Sequence, residues 1–359
     1  PALGAESIEA GDRRGMAMGY VDADGHIWEN ERELNDFLPE PYSKVQRYKA
    51  WNMMPFLDDF HTPWRTIVEA GGKGGPFDDT VGPAEWLAFL DKTGLEYTVL
   101  YPTFGLAYGL IVNPDWAAAY AKGYNNWLHA KYLQISPRFK GMALIPMQDV
   151  PRAVQELRRA VKELGMVGAM LPSFGLKRHL SHKEFWPVYE EAEKLGCALG
   201  VHGGGYKDLG FNSFTCFPAT RALGMPFPLA IAMTGMIVDG VFDAFPNLRV
   251  GFMEGGTSWI PLVIDRLKRE TEYTPLTLKR SPEEYFRRVF VGCEGNEEAL
   301  SYCIQRVGHE PFMFASDFPH EIMLENCMEE IDEIRERKDL EEPHKRAILG
   351  ENARRFYKQ

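Results

Sequence analysis

An eight-unit α/β barrel of the TIM (β/α)8 class is the fold that this 359-residue sequence predicts. Three observations carry it. Eight short apolar runs of strand length recur between residues 19 and 317. The runs are apolar throughout rather than alternating, as parallel strands buried on both faces should be. Segments of helical spacing separate most of them. A doubly wound sheet is the runner-up, weakened because no Gly-x-Gly-x-x-Gly turn follows the first strand. With 45% hydrophobic residues a large core can form. Length alone suggests two domains, yet barrels of this size are often single, so one domain over residues 1–359 is expected.

The first strand is GYVDADGHI, residues 19–27. In an extended strand Asp22, Asp24 and His26 share one face. Two carboxylates and an imidazole on a buried face are costly unless compensated, and a metal ion compensates all three. Residues 28–92 follow, rich in Trp, Pro, Phe and Gly, and read as an irregular, lid-like excursion over the strand ends. Its EAGGKGGPF segment lacks the P-loop spacing and has no strand before it.

From there the chain alternates. Strands are expected at 95–102, 140–148, 167–173, 198–203, 248–254, 288–293 and 312–317. Helices are expected at 115–134, 151–164, 183–195, 229–242, 259–270, 297–307, 325–337 and 343–357. The clearest is 151–164, with Val154, Leu157, Ala160, Val161 and Leu164 at helical spacing. A second aromatic, Gly-rich excursion covers about 204–228, so both long insertions lie at the C-terminal face of the barrel.

Composition excludes several classes of partner. The net charge is −11 and no basic run offers a phosphate-neutralising patch, so no nucleic-acid partner is expected. No apolar run reaches the ~18 residues needed to span a bilayer, and residues 1–15 hold no signal-peptide core, so no membrane association is expected. The cysteines Cys197, Cys216, Cys293, Cys303 and Cys327 form no CxxC pair and are odd in number. That suits a reducing, cytoplasmic location and buried thiols.

Chemistry in such a barrel sits at the C-terminal strand ends. The polar residues there are Asp24 and His26 (strand 1), His202 (strand 5), Glu254 (strand 6), Glu294 (after strand 7), Asp317 (strand 8) and His320 just beyond. Carboxylates and imidazoles without a thiolate suit zinc, iron or manganese in a working site rather than a structural zinc.

The segments VDADGHI, GVHGGG, GFMEGG and FASDFPH, with the terminal ILGENARRFYK, resemble the amidohydrolase-2 family, which includes the aminocarboxymuconate-semialdehyde decarboxylases. The resemblance spans about residues 19–357. It implies a metal held by a strand-1 pair, a strand-5 His and a strand-8 Asp, which are Asp24, His26, His202 and Asp317 here. Three departures stand out. The decarboxylases carry a strand-6 His where this chain has Glu254; strand 4 lacks the bridging Lys of two-metal amidohydrolases; and Phe-Pro-His320 follows Asp317. The pattern is similar to a branch of the superfamily that holds two non-haem irons and hydroxylates substrates with dioxygen.

That resemblance implies a non-haem diiron monooxygenase acting on an apolar carboxylic acid or its coenzyme A (CoA) thioester. Asp24, His26, His202, Glu254, Asp317 and His320 would hold two divalent ions, iron first, zinc or manganese otherwise. Glu254 and Asp317 would also act in catalysis, with Glu294 and Asp22 as further ligands or outer carboxylates. Trp51, Trp64, Phe211, Phe214 and Phe217 would shape an apolar substrate pocket. The partners expected are dioxygen, the small-molecule substrate and a second copy of the chain. The alternative is a metal-dependent hydrolase of an amide, ester or thioester, with Asp317 as general base. A metal-dependent decarboxylase ranks below it, because a permanently anionic Glu254 would have no proton to give.

Overall fold

The computed structural model describes residues 19–45, 53–55, 81–204, 209–214, 217–320 and 324–359. Eight strands form one sheet: β1 (Tyr20–Ile27), β2 (Leu95–Pro102), β3 (Phe139–Leu144), β4 (Gly168–Pro172), β5 (Ala198–His202), β6 (Arg249–Met253), β7 (Phe290–Cys293) and β8 (Phe312–Phe314). Their order in the sheet is their order in the chain, and each neighbouring pair is parallel. This is the nearly closed (β/α)8 barrel that the spacing of apolar runs predicts. Almost every strand residue is buried, because the barrel interior covers one face and the helices cover the other.

The longer helices are α1 (Pro83–Thr93), α2 (Pro114–Leu128), α3 (Val150–Glu163), α4 (Trp186–Leu195), α5 (Phe217–Gly224), α6 (Pro226–Val238), α7 (Trp259–Tyr273), α8 (Leu300–Val307) and α9 (Leu324–Glu336). Two of them correct the sequence reading. The expected irregular stretch 28–92 ends in α1, where Pro83 occupies the first turn, Gly82 N donates to Glu85 Oε2 at 2.9 Å, and Gly94 at φ 75° closes the helix. The second excursion contains α5 and the start of α6, whose prolines likewise sit in first turns rather than breaking a loop. Trp51 and Trp64 lie outside the described residues, as does the side chain of Phe217.

Residues Ala219–Val238 run helically and are long and apolar enough, by length and composition, to cross a membrane. The sequence reading found no such run because Arg221 and the prolines interrupt it. In the structure α6 packs against α7 and β5 as part of the barrel's outer layer.

The barrel closes between β1 and β8 through a small set of bonds. Asp317 N donates to Asp24 O at 3.0 Å, and His26 N donates to Phe318 O at 2.7 Å. Asp22 completes the seam: its carboxylate accepts from Ser316 N (2.8 Å), Ser316 Oγ (2.9 Å) and Thr98 Oγ1 (2.6 Å). A register shift between Asp22 and Gly25 sets this residue apart from Asp24 and His26. Asp22 is therefore a fully bonded clasp and not the ligand that strict alternation suggests.

Below the seam the interior is filled by aromatics. Tyr357 Oη donates to Ala23 O at 2.7 Å and lies 2.9 Å from Tyr101 Oη. A Cβ on Gly200 would stand 2.3 Å from Tyr101 Oη, so β5 can pass this ring only as glycine. Asp22→Ala should lower the unfolding free energy by about 2–4 kcal/mol, since it strands four buried donors, Asp24 N among them. Urea unfolding measures it; a change near zero would show that the seam does not depend on Asp22.

Candidate metal centre

The strand ends bring six of the expected residues to the barrel mouth. His26 Nε2 lies 3.7 Å from Asp24 Oδ1, 3.4 Å from Asp317 Oδ1 and 3.9 Å from Glu254 Oε2. His202 Nε2 is 3.2 Å from Asp24 Oδ2, and its Nδ1 is 3.6 Å from Glu254 Oε2. Two overlapping donor sets result: Asp24, His26 and His202, and then His26, Glu254, Asp317 and His320. Glu294 is exposed and belongs to neither.

The backbone sets the tautomers. His26 Nδ1 lies 3.1 Å from Pro102 O and His202 Nδ1 lies 3.1 Å from Gly203 O. A carbonyl only accepts, so each Nδ1 carries a proton and each Nε2 is the atom turned toward the centre, free to offer a lone pair once a cation displaces the proton that His202 takes up beside Asp24. Asp24 Oδ1 and Oδ2, His26 Nε2, His202 Nε2 and Glu254 Oε2 are buried without a hydrogen-bond partner. Lone pairs left dry in this way are costly, and a divalent cation satisfies them together. The residues present therefore fit a metal.

His26 can serve one ion only, because Pro102 engages its other nitrogen. The two donor sets compete for that single Nε2. His320 spends both ring nitrogens on neighbours: Nδ1 is 2.7 Å from Asp317 Oδ1, and Nε2 is 3.0 Å from Thr103 Oγ1. Its ring stacks on His26 at 4.0 Å. Thr103 is fixed in turn by Glu29, whose carboxylate accepts from the N–H groups of Thr103, Phe104 and Gly105. An imidazole held this way orients Asp317.

Two site residues sit on left-handed backbone, Glu254 at φ 56° and Asp317 at φ 52°. Each such residue costs about 1–3 kcal/mol, which the surrounding barrel must offset. Both carboxyls also sit in a dry, anionic place. Burial, then Asp317, pushes Glu254 up to about 7. Burial raises Asp317 to about 7 against the opposing charge of Arg221. Glu254 is therefore not permanently anionic: in the metal-free protein it exchanges its proton near neutrality. Burial opposes protonation of His202, but Asp24 and then Glu254 outweigh it and raise the ring to about 9. Burial, with His320 and His202, holds His26 well below its ordinary value.

Arg221 was missed by sequence reasoning. It lies on α5, with Nη2 4.0 Å from Glu254 Oε1. The only signal was a single cation in the apolar run FPATRALG. Phe211 and Phe214 line a cavity of about 270 Å³ with Leu209, Leu223, Phe227 and Ile231. Leu223 follows Arg221 by two residues, which is about 200° around a helix, so this cavity opens on the face of α5 turned away from Arg221.

The sequence profile of the amidohydrolase family (Amidohydro_2) matches residues 21–359. The chain is 29% identical over 275 residues to the 2-amino-3-carboxymuconate-6-semialdehyde decarboxylase of Dictyostelium discoideum, covering 74% of each. It is 27% identical over 249 residues to the gamma-resorcylate decarboxylase of Polaromonas sp. strain JS666, covering 65% of this chain and 75% of that one. A solved dihydroxybenzoic acid decarboxylase from Polaromonas sp. JS666, with bound manganese and 2-nitroresorcinol, superposes with TM-score 0.69 at 20% identity, over 95% of this chain and 97% of that one. These relatives are decarboxylases. They overturn the expectation of an iron-dependent monooxygenase or any oxidoreductase, and dioxygen and CoA fall with it.

Two outcomes test this centre. In the metal-free protein, stability should fall as pH rises, through about 7 as Glu254 and Asp317 ionise and through about 9 as His202 loses its proton. All three have folded pKa values above their unfolded ones, which fixes the sign. Manganese should raise the melting temperature and flatten that dependence; a melting temperature unmoved by manganese, nickel or zinc would argue against the site. In addition, His320→Ala should weaken metal binding by roughly 10–100-fold, as loss of an orienting partner does, whereas His202→Ala should abolish it.

Proposed function

This chain belongs to the amidohydrolase family, and on that footing we propose that it is a metal-dependent decarboxylase of an unsaturated or aromatic carboxylic acid. The observation that carries the reading is Glu254: a buried carboxyl, raised to about 7, whose Oε2 faces the donor cluster unbonded. Non-oxidative decarboxylation needs that group, because the carbon that loses CO2 must gain a proton.

Asp24, His26, His202 and Asp317 would hold one divalent cation. Manganese is the first candidate, since it is the ion bound in the Polaromonas structure. When bound, the cation supplies Lewis acidity toward the oxygens of the substrate. The protein groups do the rest. His26 and His202 keep their lone pairs on the centre because Pro102 and Gly203 hold their Nδ1 protons. His320 and Thr103 fix the carboxylate plane of Asp317. Glu254 holds a proton at its carboxyl. As the carbon–carboxylate bond breaks, the electron pair stays on carbon, Glu254 delivers its proton there, and CO2 departs. Water then reprotonates Glu254.

The two ions expected from sequence reduce to one in this reading, because the donor sets share His26 Nε2. Elemental analysis should find about one ion per chain; two would restore the binuclear arrangement. Activity is read by incubating the manganese-loaded protein with 2,6-dihydroxybenzoate, 5-carboxyvanillate and 2-amino-3-carboxymuconate semialdehyde and trapping CO2. Glu254→Gln should bind metal and lower turnover by about 10²–10⁴-fold, the usual weight of a general acid. Full turnover in that variant would remove Glu254 from the mechanism. Hydration or hydrolysis products in place of CO2 would move the chain to another reaction class.

A further inference from the structure

We propose that Arg221 is the anion seat of this site: its guanidinium receives a carboxylate of the substrate and selects acids over their neutral isosteres. The inference rests on the decarboxylase reading and names a recognition residue for it. Three carboxylates, Asp24, Glu254 and Asp317, converge on the barrel mouth. An acid entering there meets like charge. With Glu254 protonated, a divalent cation offsets the charges of Asp24 and Asp317, and the arriving acid adds a further negative charge for a second positive group to take up.

Arg221 stands at that place. Its side chain is 29% exposed, so it is reachable from solvent, whereas that of Glu254 beneath it is only 8% exposed. The two are joined at 4.0 Å, an ion-pair separation longer than a hydrogen bond. The guanidinium charge acts on Glu254 at the end of β6, on Asp317 and His320 after β8, and on Glu294 after β7. Groups from three sectors of the rim feel this one cation. A planar guanidinium presents paired donors that match a carboxylate. Glu254, held next to Arg221, is then next to any acid that Arg221 binds, which puts the proton donor beside the bound carboxylate.

The competing role is a counter-ion that only steadies Glu254. The two roles separate by ligand charge. Manganese-loaded wild type, titrated calorimetrically, should bind benzoate at least about tenfold more tightly than benzamide, a ligand of nearly the same shape without the charge. Arg221→Gln should erase that preference by weakening benzoate alone, with metal content unchanged. Arg221→Lys should restore part of it, as a point charge without the fork. Wild type that prefers neither ligand, or binds neither, overturns the proposal. So does an Arg221→Gln variant that weakens both alike or loses metal. CO2 release is not read in this experiment. A chain that decarboxylates nothing yet shows the Arg221-dependent preference for benzoate would overturn the decarboxylase reading and leave the anion seat standing.

Discussion

The seam between β1 and β8 is the constraint on which the rest of the structure depends. Asp22 and Ser316, joined there, are 294 residues apart in sequence. The bonds that close the barrel are made by the backbone of Asp24, His26, Asp317 and Phe318. Those are the same residues, or neighbours of the residues, whose side chains form the donor cluster. Closing the barrel and assembling the centre are therefore one event. A shift of β8 by one residue would break the Asp22 clasp and would also carry Asp317 away from His26.

Around that seam the fold holds charge it cannot hold alone. Asp24, Glu254 and Asp317 share a dry mouth, and His202 is pulled up to about 9 by them. Without a cation the cluster takes up protons; a cation held by Asp24, His26, His202 and Asp317 would replace those on its own ligands. The left-handed backbone at Glu254 and Asp317 belongs to the same account. Glu254 directly follows β6 and Asp317 lies three residues beyond β8, and at each the chain turns in a way that ordinary extended backbone does not offer. The packing of the barrel below, with Tyr101 and Tyr357 bonded beneath Ala23, keeps the floor rigid enough to hold those turns.

Much of this was legible in the sequence, and the gaps have physical causes. The eight strands showed because parallel strands buried on both faces must be apolar, so a polar residue at a strand end stands out. That contrast picked out Asp24, His26, His202, Glu254, Asp317 and His320. Asp22 could be read only as a ligand or an outer carboxylate, because the register shift that turns it to Thr98 and Ser316 is invisible to an alternation count. The helix α1 was hidden because Pro83 and Gly82 look like loop residues until their positions in the first turn and cap are known. Arg221 was hidden for the same reason, on a helix between prolines. The reaction class was legible only as three alternatives. One set of carboxylates and imidazoles serves oxygen activation, hydrolysis and decarboxylation, and the likeness to decarboxylases argues against the first.

The strand-6 position shows why residue type and chemistry cannot be matched without the environment. An imidazole is the familiar acid near neutral pH, and a glutamate in its place looks like the loss of a proton donor. Burial reverses that expectation, because it disfavours whichever form is charged. In this mouth it drives His26 well below its ordinary value and His320 down to about 4, leaving neutral rings that are poor acids. The same burial drives Glu254 up to about 7, leaving a neutral carboxyl that carries a proton. Burial does not act alone: His202, equally buried, is raised to about 9 by Asp24 and Glu254. A carboxyl raised to about 7 can carry a proton, so Glu254 is consistent with decarboxylation where it first seemed to argue against it.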